Sequence, residues 1–107
     1  MLSRELVGVL PAARVQGTLP AEITALVYDS RQVTPGCLFV CLEGLSSDGH
    51  RFAAQAVAAG AAAVVARMVP DPPVAAPLVF VGDTREALAR LAGAFYGHPT
   101  RALALAG

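Results

Sequence analysis

The sequence predicts an α/β fold: a single Rossmann-like domain over residues 1–107, with a largely parallel β-sheet flanked by helices. Three observations carry this. Apolar runs of strand length recur at 37–42, 62–66, 78–81 and 102–106. They are apolar throughout rather than alternating, as expected of strands covered on both faces. Segments with helical spacing separate the first run from the second, and the third from the fourth, so each trio reads as a β–α–β unit with parallel strands and a right-handed crossover.

The elements follow in order. Residues 5–10 are expected to form a short helix ending before Pro11. Residues 14–16 read as an edge strand, and 17–21 as a loop. Residues 24–28 read as a strand at an edge or beside one, with Leu26 and Tyr28 on one face. Thr34-Pro35-Gly36 is a turn, because Pro presets one dihedral and Gly tolerates the next. The central strand at 37–42 follows. Asp48 is placed to cap a helix over 50–59, whose buried face is expected to hold Phe52, Ala56 and Ala59. Gly60 ends that helix in the C′ manner. A proline-rich surface loop spans 68–77. Asp83 with Glu86 has the spacing of an N-cap and its reciprocal partner. Leu88, Leu91, Ala92 and Phe95 line the helix at 84–96, which Gly97 and Pro99 stop.

Composition narrows the function. The chain has 107 residues, 55% hydrophobic and 15% charged, with eight acids balancing eight bases. That suits one ordered domain and offers no basic stripe for nucleic acid. The longest apolar stretch, 52–66, is broken by Gln55 and Gly60 and falls short of the ~18 residues that span a membrane. No signal peptide is evident, and a cytoplasmic location is expected. The cysteines, Cys37 and Cys41, would lie on one strand face about 13 Å apart. That exceeds disulfide reach, which stays under about 7 Å, so both are expected to be buried, unpaired side chains.

Small polar groups gather in two places, Asp29-Ser30-Arg31 and the loop Glu43-Gly44-Leu45-Ser46-Ser47 leading into Asp48-Gly49-His50. Both follow strands, and open α/β sheets bind ligands outside the carboxyl ends of their strands. Ser hydroxyls can donate to phosphate or carbonyl oxygens. Asp48 reads as a cap, since a carboxylate already occupies the helix N–H groups. His50 and His98 read as structural. No metal-ligand cluster or nucleophile–base–acid set is visible, so no catalytic residue is assigned.

The ordered set Asp29-Ser30-Arg31, Pro35-Gly36, Leu38-Phe39-Val40, Gly44, Asp48-Gly49-His50 and Gly60-Ala61, followed by Phe95-Tyr96-x-His98-Pro99 and the strand ALALAG, resembles the N-terminal domain of the Mur ligases. The match runs over about residues 26–107. The forms DSR, FVCLEG and FY-x-HP look most like MurE-type members, which add 2,6-diaminopimelate or L-lysine to UDP-N-acetylmuramoyl-L-alanyl-D-glutamate. MurF-type members, which add D-alanyl-D-alanine, share the DGH-type loop and are the close competitor. A stand-alone nucleotide-binding or interaction module is the alternative of another class.

The resemblance implies a three-domain ATP-dependent amide ligase of peptidoglycan synthesis, with ATP and magnesium held by a central domain and the incoming amino acid by a C-terminal one. This chain would be the first domain, which holds the UDP end of the UDP-N-acetylmuramoyl-dipeptide. The resemblance places Tyr28, Ser30, Leu45, Ser46 and Ser47 at that end. No G-x-x-x-x-G-K-[ST] loop occurs within the 107 residues. The ATP loop is expected directly after Gly107, and the isolated chain is expected to hold no cofactor and to be inactive as a ligase or ATPase.

Overall fold

The apolar runs form the centre of a sheet. The computed structural model of the chain describes residues 2–10, 13–42, 49–70 and 73–96. Among these, five strands line up in the order β1 (Arg14–Gln16), β5 (Leu78–Phe80), β4 (Ala63–Ala66), β3 (Leu38–Val40) and β2 (Leu26–Val27). The pairs β2–β3, β3–β4 and β4–β5 are parallel, and β1 joins β5 antiparallel. The expected strand at 102–106 lies outside the described residues.

Side chains alternate across the sheet and feed two separate cores. Leu38, Val40, Ala63, Val65 and Val79 point to one face, where helices α1 (Ser3–Gly8) and α3 (Thr84–Phe95) bring Leu6, Ala87 and Leu91. Cys37, Phe39, Cys41, Val64, Ala66 and Leu78 point to the other, where α2 (Ala53–Ala58) packs Ala53 and Ala56. A period of two with both faces apolar is why β3 and β4 carry no polar residue. Cys37 and Cys41 share the α2 face, buried and without a disulfide, as the spacing indicated.

The punctuation follows the side-chain chemistry. Thr34-Pro35-Gly36-Cys37 is a turn closed by Cys37 N–H to the Thr34 carbonyl at 3.2 Å. Gly36 takes φ +83°, the positive value a type II turn needs after proline. Gly60 sits at φ +124° after α2. Its N–H donates to Val57 O and that of Ala61 to Ala56 O, the paired bonds of a Schellman stop. The Asp83 carboxylate accepts from the N–H groups of Arg85 and Glu86 at 2.9 and 3.2 Å, so it caps α3 as expected.

Four expectations need correction. The first helix spans Ser3–Gly8 rather than 5–10. Ser3 anchors its start, with its backbone N–H on Ala21 O and its hydroxyl on Pro20 O. The strand expected at 24–28 is regular only at Leu26–Val27. Bonds to the β3 side persist back to Thr24, but Tyr28 leaves the sheet. The helix expected at 50–59 begins as a 3-10 turn, Gly49–Phe52, and becomes α-helical only at Ala53. Three residues per turn instead of 3.6 shift the phase, so the buried face is Ala53 and Ala56, while Phe52 and Ala59 are exposed. Finally, Pro70 is fully buried in the loop expected to lie wholly on the surface.

Candidate functional site

The chain leaves β2 at Val27 and turns at once. Asp29 stands in extended backbone and caps a single 3-10 turn, Ser30–Gln32. Its Oδ1 accepts from the Arg31 N–H at 2.9 Å, the local side-chain bond that lets Asp start turns. The same carboxylate takes the Arg31 guanidinium in a two-pronged ion pair, Nε to Oδ1 at 3.1 Å and Nη2 to Oδ2 at 2.8 Å. The hydrogen bond from the Arg31 side chain, helped by its backbone N–H, holds the Asp29 carboxyl at about 2, below its usual 3.8. The guanidinium is correspondingly pushed above its ordinary value. The turn is therefore electrically balanced.

Asp29 and Arg31 thus build the turn, and Ser30 between them is left for other work. No described residue bonds its hydroxyl. Tyr28, Asp29, Ser30 and Arg31 form one wall of a cleft of about 490 Å³, closed by Phe39, Phe52 and Gln55. Phe39 is the buried floor. Tyr28 and Phe52, 59% and 39% exposed, leave ring surface open. Aromatic rings, a free hydroxyl and an amide around one concavity suit a flat polar ring with hydrogen-bonding edges. The cleft opens at the carboxyl end of β2, where the topology favours ligand binding.

Of the residues that the sequence singled out, Tyr28 and Ser30 are brought together here. Leu45, Ser46 and Ser47 lie outside the described residues, as do Asp48 and His98. The cleft also gathers Asp29 and Arg31 of the same turn, and Phe39, Phe52 and Gln55, which sequence reasoning did not assign to a site. Phe52 and Gln55, three apart at the head of a helix, carried a readable signal, but a helical phase taken from residue 50 turned Phe52 inward.

Two further concavities differ in kind. A groove of about 700 Å³ beside α1 and β1 is lined mainly by Leu2, Val7, Val15, Leu19 and Pro20, with few polar groups. A depression of about 310 Å³ lies past β4 and β5 at Arg67, Gly82, Asp83, Thr84 and Arg85, where Asp83 already occupies the helix N–H groups. Among the described residues no group of three or more His, Cys, Asp or Glu side chains is placed to hold a metal ion. Among them, too, no helix is long and apolar enough to cross a membrane.

The profile described as Mur ligase family, catalytic domain, matches residues 22–96. A UDP-N-acetylmuramoyl-L-alanyl-D-glutamate--2,6-diaminopimelate ligase of Listeria monocytogenes is 42% identical over 107 residues, all of this chain and 21% of the relative. The ligase of that name from Geobacillus thermodenitrificans is 54% identical over 86 residues, 80% of this chain and 17% of the relative. Crystal structure I of MurF from Acinetobacter baumannii superposes with a TM-score of 0.74 at 27% identity, over 83% of this chain and 19% of that one. The chain spans about a fifth of the length of the curated relatives it matches.

Proposed function

Because the chain belongs to the Mur ligase family, we propose that it is the substrate-holding domain of a MurE-type ligase, binding the uridine diphosphate end of UDP-N-acetylmuramoyl-L-alanyl-D-glutamate. The observation that carries this reading is the cleft beyond β2, where Ser30 offers a free hydroxyl between exposed aromatic rings. Tyr28 and Phe52 would face the uracil ring, and Ser30 would hydrogen-bond it or the ribose. Leu45, Ser46 and Ser47, which follow β3 in the sequence, would complete the site. The names of the sequence relatives support the MurE type. The likeness to a MurF crystal structure favours the MurF type as second reading.

ATP and magnesium, which the family implies, do not fit the residues present. The 107 residues contain no lysine and no phosphate-binding glycine loop, and the described ones hold no metal-binding cluster. Activation of the substrate carboxylate, and the amine's attack on it, are therefore assigned to other parts of a cytoplasmic ligase. What this chain's residues do is bind and orient.

Pyrophosphate affinity here rests on hydrogen bonds rather than net charge, because Asp29 neutralises Arg31. Such bonds contribute ~0.5–1.5 kcal/mol each, and association has its own entropic cost. Dissociation constants of roughly 0.1–10 mM are expected for UDP and for the full substrate. NMR titration tests this. Shifts should cluster at residues 28–31 and 44–49, and Ser30→Ala should weaken them. Shifts confined elsewhere, or none at ~10 mM ligand, would overturn the assignment. Phosphate release from ATP by the chain alone should not exceed a buffer blank.

A further inference from the structure

The β3–β4 ladder ends in an unusual way. In a parallel pair, a residue donates to the residue before its partner and accepts from the residue after it. The register here sets Val40 opposite Val65. Accordingly Cys41, opposite Ala66, donates its N–H to Val65 O at 2.9 Å. The next rung would carry the Arg67 N–H to the Cys41 carbonyl. It goes instead to a side chain seventeen residues back: His50 Nε2 accepts it at 3.0 Å. His50 is only 3% exposed, and among the described residues only Ser3 and Thr84 are comparably buried polar side chains. Because Nε2 accepts, the imidazole proton sits on Nδ1.

This bond ties two places together. One is the end of β4. The other is the turn Gly49–Phe52, which carries Phe52 two residues on and leads into Gln55 three residues after that. Both line the cleft. In a tight turn, fixing one side chain fixes the direction of the next residues, since few backbone dihedrals lie between them. We propose that His50 is a positioning residue for the cleft. By taking the rung that β3 gives up, it locks the 49–52 turn to the sheet and sets where Phe52 and Gln55 stand. The consequence for nucleotide affinity rests on the function proposed above. The lock itself does not.

The test uses the full 107-residue chain, with UDP as the probe. In isotope-labelled protein, a through-hydrogen-bond coupling should join Arg67 N to His50 Nε2, and its absence overturns the proposal. His50→Leu keeps bulk and removes the acceptor. His50→Gln returns an acceptor at similar reach. Well below each variant's melting midpoint, His50→Leu should shift the amides of residues 52–55 and weaken UDP binding roughly five- to tenfold, while His50→Gln stays within about twofold of the parent. If His50→Leu does not fold, His50→Asn, with a shorter reach, supplies the same contrast. A folded Leu or Asn variant with parental amides at 52–55 and parental affinity overturns the proposal, as does a Gln variant that rescues neither. If the parent chain binds no UDP, the ligand assignment fails, and the coupling and the 52–55 amides still decide the lock.

Discussion

Two glycines, changed in the same way, should move stability in opposite directions. At Gly60 the backbone has φ +124°, a region closed to residues with a Cβ. An added Cβ would stand 3.1 Å from Pro35 Cα and 3.4 Å from its N, inside ordinary carbon–carbon contact at ~3.5–4.0 Å. Pro35 cannot drift away freely. Its carbonyl takes the Thr24 hydroxyl at 2.9 Å, and the next residue's N–H donates to Gly60 O at 3.0 Å. Backbone strain of ~1–3 kcal/mol plus the contact gives a loss of about 2–4 kcal/mol for Gly60→Ala. At Gly93, inside α3, no atom of the described residues lies within 4 Å of the added atom. There alanine removes unfolded-state entropy and should stabilise by ~0.5–1 kcal/mol.

At ~4–8 °C per kcal/mol for a domain of this size, Gly60→Ala should melt some 10–25 °C lower than the parent, and Gly93→Ala ~3–6 °C higher. Thermal melts by circular dichroism, repeated with urea at 10 °C where even the weakened variant has stability to lose, measure both. Equal midpoints for Gly60→Ala and the parent would refute the reasoning. So would a Gly93→Ala that destabilises, because α3 would then have a neighbour at that position.

The other predictions concern charge and thiols. The Asp29 carboxyl, held near 2 by Arg31, contributes stability that is complete above its unpaired value of 3.8 and is lost as pH falls through about 2. Its carboxyl carbon shift should titrate in that window, and Arg31→Gln should return the midpoint toward 3.8. Asp29→Asn keeps a cap of equal rank but frees the guanidinium. UDP affinity should then rise about three- to fivefold at low salt and lose that gain by ~0.5 M, as screening shortens the Debye length. Titration at two ionic strengths reads this, and a gain that persists in salt would contradict it. Cys37 and Cys41 are fully buried, and burial pushes the Cys37 thiol upward. Both should ignore Ellman's reagent in the folded chain and react promptly in urea.

The sheet was legible because its residues leave no choice. Four-residue runs such as Ala63–Ala66, apolar on both sides, have nowhere to go but between two layers. Gly36, Gly60 and Asp83 mark their turns through local chemistry that tertiary contacts do not override. What failed was phase and extent. Nothing local announces that residues 49–52 wind three to a turn, because that winding is tied to a long-range bond, Arg67 N–H to His50. One such bond turns Phe52 from a core residue into a wall of the cleft. Tyr28 has strand propensity, yet leaves the sheet because Asp29 begins a turn behind it. One wall of the candidate site was visible in the turn that carries Tyr28 and Ser30. Phe39, Phe52 and Gln55 join them through packing between β2, β3 and α2, which no pairwise spacing encodes.

The charge pattern of the Asp29-Ser30-Arg31 turn bears on how such a domain would discriminate. A lone arginine beside the cleft would attract any phosphate, and a cell holds many. Here the arginine is already bound by the residue two positions before it, through two bonds of 2.8 and 3.1 Å. An anion's charge would therefore find little field to follow, and recognition would fall to shape and hydrogen bonds at the ring. Free phosphate and non-aromatic phosphoesters would gain almost nothing from this wall. A ligand that fills the space between Tyr28 and Phe52, and meets Ser30, gains from each contact. Selectivity would come from weak neutral contacts at the cost of affinity, which is tolerable when one binding site supplies only part of the hold on a larger substrate.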